Sequence, residues 1–435
     1  MMSWSKTLVY SGILAVVFTL PYDFPINNIA IIYALACFLI FIMTSKQNGR
    51  YVFSRIFNDH LALVFIGFSI LYLGAGLIRL DAYQDPMIMW KALEKRIPFL
   101  IFPFVLTVVP LYSKRQIKWI FHMFLIMVVL SSLTCLIIGA YQTITTGTVH
   151  YINTENGVVE NNFMYYRLSS YIGIHPVYFS SYVLLATILS LSDLRQNFQS
   201  SSSTLLIFKI LTLFYLIGII FLLKSAIIIT ALLIILLGFL GFHFYQRRAM
   251  ISGPRLALIV IGMVAVSVIL AVRVDQKIGQ RGSLFSYDYS QPGGGSWNVV
   301  NLRLAKWTVA TEAIRNHWLA GVGPGNLYST LDRYYKLHNF RFALREHYNP
   351  HNQFLHSFLI LGILGLLLLV FMFVLPFVKS WQKLDVVWFL FSFGFILFSV
   401  TESTLAVNKG IIFYVFMTCL FNNLPSLTST YLRNE

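Results

Sequence analysis

Charge is scarce in this sequence. Only 11% of its 435 residues are Asp, Glu, Lys or Arg, against about 25% in soluble domains. Acids are the scarcer half: 16, against 32 Lys plus Arg, for a formal net charge of +16. The hydrophobic set fills 57% of the chain and mean hydropathy is +0.73. A soluble globule cannot hide that much apolar surface, because single cores stop growing near about 250–300 residues. Soluble, disordered and collagen-like chains are therefore excluded, and an all-α integral membrane protein is expected. Cysteine is sparse too. Cys37, Cys135 and Cys419 all lie inside apolar runs, where buried free thiols are expected, and no spacing suits a metal or a disulfide framework. No small-residue cleavage site follows the first apolar run, which reads as a first span and not as a signal peptide.

What is there is a series of apolar runs. A helix needs about 20 mostly apolar residues to cross a bilayer. Twelve runs are found near 7–20, 28–44, 61–78, 97–112, 119–140, 174–192, 204–222, 225–244, 256–272, 354–378, 386–400 and 408–424. The stretch 204–244 reads as two spans joined by a tight hairpin at Lys224-Ser225. Short loops bias Lys and Arg to the cytoplasmic side. Lys46, Arg50, Arg55, Lys114, Arg115, Lys118, Arg247 and Arg248 all fall on one side, which predicts cytoplasmic termini. The chain then divides into spans one to nine with a short outer loop near 141–173 (1–272), a large outer loop (273–353), and spans ten to twelve with a short tail (354–435).

The large loop carries ten cations and five acids, net +5. A surplus on the translocated side is not needed for topology and points to an anionic partner or to lipid phosphates. Residues 281–297 are rich in Gly, Ser and Tyr and read as mobile; 301–317 reads as an interfacial helix. Gly321-Val-Gly-Pro-Gly325-Asn326 follows a helix, not a strand, so it reads as a turn and not as a dinucleotide fingerprint.

The segment His347-Tyr-Asn-Pro-His351-Asn352 could do chemistry. Two histidines four apart suggest a metal pair, but Pro350 interrupts the helix they would need, so no metal is expected. Asn349 reads as a helix N-cap and Pro350 as the first helical residue. His351 then sits in the first turn, where the helix dipole favours neutral imidazole, a form able to act as general base. On one continuous helix His351, Gly362 and Gly365 share a face, and the glycines admit a close neighbour. Arg303 can clamp a phosphate, with Lys306 beside it and Trp307 one turn on. Lys224 at the hairpin tip reads either as a snorkelling lysine or as a phosphate ligand. Glu402, at the exit of the eleventh run, can orient a base or a sugar hydroxyl. A transporter would place ionisable groups near the bilayer midplane, and the runs hold almost none.

These residues resemble the O-antigen ligase family of bacterial inner-membrane proteins, which shares a superfamily with O-antigen polymerases. The family pattern is His, then Asn, Ser or Gln, nine residues, Gly, two residues, then Gly, Thr or Tyr; His351, Asn352, Gly362 and Gly365 meet it. Arg303, Trp307 and the Gly321–Asn326 turn are similar to the family's upstream pattern, and Glu402 to its late acidic residue. The resemblance is good over 204–424. Members carry a Ser-Arg pair at the hairpin tip; this chain departs with Lys224-Ser225-Ala226. The resemblance implies about twelve spans in a GT-C-like membrane architecture. It also implies a cofactor-free, metal-independent, inverting transfer of polysaccharide from undecaprenyl pyrophosphate. The acceptor is a lipid A–core hydroxyl in a ligase or a second lipid-linked repeat in a polymerase. His351 and Arg303 would be catalytic, and Lys224, Lys306, Asn352, Arg345 and Glu402 would bind pyrophosphate or glycan. Membrane lipid is the setting and no nucleic acid is involved.

Overall fold

The computed structural model describes residues 4–22, 24–78, 86–152, 159–197, 202–246 and 299–424. The expected ninth span at 256–272 and the Gly/Ser/Tyr segment at 281–297 lie outside the described residues. The chain begins with α1 (Trp4–Thr19), α2 (Phe24–Met43), α3 (Lys46–Phe57), α4 (His60–Leu77), α5 (Pro86–Glu94) and α6 (Pro98–Val105). There follow α7 (Lys114–Thr146), a two-stranded hairpin of β1 (His150–Ile152) and β2 (Val159–Asn161), α8 (Tyr165–Ser170), α9 (Pro176–Asn197), α10 (Ser203–Leu222) and α11 (Ala226–Gln246). After the undescribed stretch come α12 (Val299–His317), α13 (Leu327–Leu337), α14 (Arg341–Arg345), α15 (Gln353–Gln382), α16 (Val386–Thr401) and α17 (Asn408–Asn423).

Among the described residues, α2, α4, α7, α9, α10 and α15 are long and apolar enough to cross a membrane, so the protein is multi-pass. Shorter apolar helices include α1, α16 and the Ala226–Gly238 part of α11. The tight hairpin at Lys224 is present between α10 and α11. The run at 97–112 differs from a plain span. It breaks into α6 and a 3-10 turn at Leu106–Leu111, because Pro103 and Pro110 each remove a backbone donor.

α17 is the central post. It is apolar nearly all round, and fourteen of its sixteen residues are buried, as expected for a helix enclosed on every side. Tyr414 stacks on Phe395 at 4.4 Å and meets Phe373 edge-on at 5.3 Å, tying α17 to α16 and α15. Cys37, Cys135 and Cys419 are buried free thiols.

α15 departs from expectation at its start and at a break. Asn352, not Asn349, is its N-cap: the Asn352 side chain accepts from the Phe354 and Leu355 N–H groups at 2.9 and 3.1 Å. His351 lies before the cap with φ +47°, not in the first turn. Asn349 instead accepts the His351 N–H at 2.8 Å, closing a turn. Gly362 is not helical (φ 65°, ψ −160°), so His351, Gly362 and Gly365 do not share one helix face. The break admits the Gly321 turn. Val322 and Gly323 donate to the Leu359 and Ile360 carbonyls at 2.8 and 2.9 Å, and Ile363 donates to the Trp318 carbonyl at 2.9 Å. A Cβ at Gly321 would strike the Ile360 carbonyl, and one at Gly362 the Leu319 carbonyl. Two glycines far apart in sequence thus form one backbone-to-backbone joint between α12 and α15.

Candidate active site

The joint fixes α12 against the head of α15, and Glu402 completes the site. Glu402 follows α16 as its C-cap, with extended backbone (φ −140°) that turns its side chain away from the helix ladder. Its Oε1 accepts from Arg303 Nη2 on α12 at 2.7 Å, and its Oε2 lies 2.9 Å from His351 Nδ1. An ionised carboxylate only accepts, so Nδ1 of His351 carries the proton and Nε2 carries the lone pair. The carboxylate is largely buried, with 13% side-chain exposure against 25% for Arg303 and 29% for His351. A strained turn holds the imidazole. Left-handed backbone costs a non-glycine residue roughly 1–2 kcal/mol, and Asn349 supports it by also accepting from Ser403 Oγ at 3.1 Å.

Lys306, one turn from Arg303 on α12, is buried at 3% exposure. Its Nζ rests 4.5 Å from the centre of the Tyr348 ring, and the same ring meets His351 edge-on at 5.7 Å. Burial pushes the Lys306 ammonium down to about 7, with Glu402 pulling it up and Arg303 pushing it further down. For His351, burial is the largest influence and lowers it below the ordinary imidazole value. The Glu402 hydrogen bond opposes this, and the Lys306 charge reinforces it. Burial alone would raise Glu402, but the His351 hydrogen bond and then the Arg303 charge hold its carboxyl below the usual range. The result is a neutral imidazole on a permanent carboxylate, flanked by one certain cation and one tunable cation. That set can take a proton from a hydroxyl and hold a developing anion.

The structure therefore brings Arg303, Lys306, His351 and Glu402 together, with Asn352 beside them as the cap. It does not bring in Arg345, whose side chain is 71% exposed and pairs with Glu346 at 2.8 Å. Lys224 is exposed at the hairpin tip with φ +49°. Among the described residues no hydrogen bond or ion pair joins it to Glu402 or His351. His347 turns away to Asp332 at 2.7 Å, so the two histidines do not face one centre. No group of three His, Cys, Asp or Glu side chains among the described residues is placed to hold a metal.

Three neighbours were not singled out from sequence. Tyr348 lies inside the hexapeptide that was. His175 feels the charges of Glu402 and His351, although burial dominates and lowers it. The Tyr165 hydroxyl is raised by burial and by Glu402. His175 stands just before Pro176 at a helix start, the same His-near-Pro signal that marked His351.

Residues 211–370 match the protein family described as O-Antigen ligase. The match supports that family for this chain and covers Lys224, Arg303, Lys306, Arg345, His351, Asn352, Gly362 and Gly365. Glu402 and His175 lie outside the matched stretch. No curated protein matches the chain.

Proposed function

We infer that this chain acts on lipid-linked glycans in a membrane, a reading that the match of residues 211–370 to the O-antigen ligase family supports. We propose that it transfers a polysaccharide from undecaprenyl pyrophosphate to a sugar hydroxyl of lipid A–core, as a ligase does. The site would lie on the periplasmic face of a bacterial inner membrane, with both termini cytoplasmic. The observation that supports this most is the Glu402 carboxylate shared by Arg303 and His351.

In this reading the acceptor hydroxyl gives its proton to His351 Nε2, and its oxygen bonds to the anomeric carbon of the donor with inversion. The bond from that carbon to the pyrophosphate oxygen breaks, and its electron pair leaves with the pyrophosphate. Glu402 fixes the imidazole tautomer and stabilises the imidazolium that forms. Arg303 and Lys306 hold the leaving charge, the kind of aimed electrostatics that carries much of catalysis. An arriving pyrophosphate raises Lys306 from about 7 and keeps it cationic. Asn352 positions His351 by capping α15, and exposed Lys224 and Arg345 attract the anionic donor. No step calls for a metal.

The test is glycan transfer by the purified wild-type protein in detergent, with lipid-linked glycan and lipid A–core as the only substrates. Transfer without another protein supports the proposal; none under conditions where both substrates are intact sinks it. A deletion strain tells the acceptor. Loss of all core-attached chains with lipid-linked chains accumulating means ligase, while a single repeat on core means polymerase.

A further inference from the structure

A cavity of about 300 Å³ has in its wall His175, the imidazole that feels the charges of Glu402 and His351. Its lining includes Tyr166 and Ser170 of α8, His175, Tyr178 of α9, and Lys409 of α17. None of these residues acts in the steps above. The cavity is joined to the site through the backbone: Tyr178 donates to the Ser403 carbonyl at 3.3 Å, and Ser403 directly follows Glu402. His175 meets Tyr166 and Tyr178 edge-on at 6.0 and 6.2 Å, so one imidazole links the mouth to the wall. The wall is held firmly, with Tyr182 donating to the Lys409 carbonyl at 2.9 Å. Tyr166 stands at the mouth, 45% exposed.

The Lys409 ammonium is turned to the Tyr22 carbonyl, and the Ser170 hydroxyl donates to the Arg167 carbonyl but can still accept. Aromatic faces beside that hydroxyl and the His175 imidazole suit a sugar ring. Its C–H face packs on an aromatic ring while its hydroxyls find hydrogen-bond partners. The volume is at the lower end of small-molecule pockets, about 300–1,000 Å³, and the polar groups would be poor company for an isoprenoid tail. The elements also divide the labour. Arg303 and Lys306 come from α12 and suit the anionic leaving group, whereas the cavity is built by α8, α9 and the start of α17. An inverting displacement needs such separation, because nucleophile and leaving group occupy different sides of the anomeric carbon.

We propose that this cavity is the acceptor-sugar subsite, seating the glycosyl unit whose hydroxyl His351 deprotonates. The proposal rests on the transfer reading above. Two variants test it: Tyr166→Ala, which removes the exposed ring, and Ser170→Phe, which fills the cavity. The probe is core oligosaccharide cleaved from lipid A, used as a lipid-free competitor of the intact acceptor. In both variants the acceptor KM and the competitor's inhibition constant are expected to rise roughly tenfold or more, the effect of losing about 1.4 kcal/mol of contact. Donor KM and kcat should change by less than about twofold on the same scale. Unchanged acceptor KM, or a rise in donor KM alone, overturns the subsite; the latter assigns the cavity to the donor's glycan or lipid. Direct binding of the same oligosaccharide by calorimetry, in wild type and in Tyr166→Ala, stays readable even if no transfer is found. Absence of transfer with binding lost in the variant faults the reaction and keeps the sugar site; binding equal in both faults the site.

Discussion

The two ends of α15 both carry ionic contacts, and they are built differently. At one end Lys379 Nζ lies 2.8 Å from Asp59 Oδ1 and donates to Asn422 Oδ1 at 3.0 Å. Lys383 donates to the Asn422 and Leu424 carbonyls at 2.9 and 3.3 Å, and Asn422 donates back to Asp59. This set ties the start of α4 to the ends of α15 and α17; the α15 C-cap is helical and Leu384 after it turns left-handed at φ +52°, as helix ends commonly do. At the other end Arg303 and His351 share the single carboxylate of Glu402, with Lys306 under its charge, on a turn strained at His351. The first set balances donors with acceptors and is fit to hold helices together. The second keeps donor and acceptor capacity in reserve. Such reserve capacity, more than the presence of charge at a helix end, separates a site from a clamp.

The comparison can be broken in several places. The largest effect is expected from Gly362→Ala, which asks an L residue to take a conformation close to glycine-only and drives its Cβ into the Leu319 carbonyl. A cost of about 3 kcal/mol or more follows, read as loss of monodisperse protein in size-exclusion and of all transfer. Glu402→Gln keeps the shape and removes the charge. Transfer should fall at least about tenfold. Because the Glu402 bond raises His351, its loss should move the acid limb of the pH–rate profile to lower pH, a shift visible in transfer assays from acid to neutral pH. Lys224→Ala should weaken donor binding by roughly tenfold, the worth of one charge-assisted hydrogen bond, and Lys224→Arg should restore it. The smallest effect belongs to the clamp. Asp59→Asn keeps the α4 cap but loses a part-exposed ion pair, worth about 1 kcal/mol or less, and the oxygen that accepts from Asn422. Melting should drop slightly and transfer should stay the same.

Much of this was legible in the sequence, for physical reasons. Apolar run length located α10, α11 and α15, because a bilayer demands about 20 apolar residues. Arg303, Lys306, His351 and Glu402 stood out because charge next to apolar runs is scarce in this chain. The break at Gly362 was not legible. A helical wheel assumes a continuous helix, and the docking of Gly321 into it is a contact between residues 41 positions apart that no local pattern encodes. The start of α15 was misplaced by three residues because Asn349 and Asn352 are equally good caps by type. Long-range partners such as Ser403 hold the Asn349 side chain away from capping α15. His175 carries no local signal strong enough to single it out. Its meaning depends on Glu402, more than 200 residues later.

The central claim is that the carboxylate-held imidazole at this end of α15 is the base of a glycan transfer. The most direct measurement is transfer by purified His351→Ala beside wild type, from the same lipid-linked donor, with thermal melting of both. His351 is partly exposed and sits at positive φ, so its truncation should leave the melting temperature nearly unchanged. The account predicts a fall in transfer of at least about 100-fold, the lower value of general-base assistance. Near-wild-type turnover in a well-folded His351→Ala protein would contradict it and leave only Arg303 and Lys306 to drive the reaction.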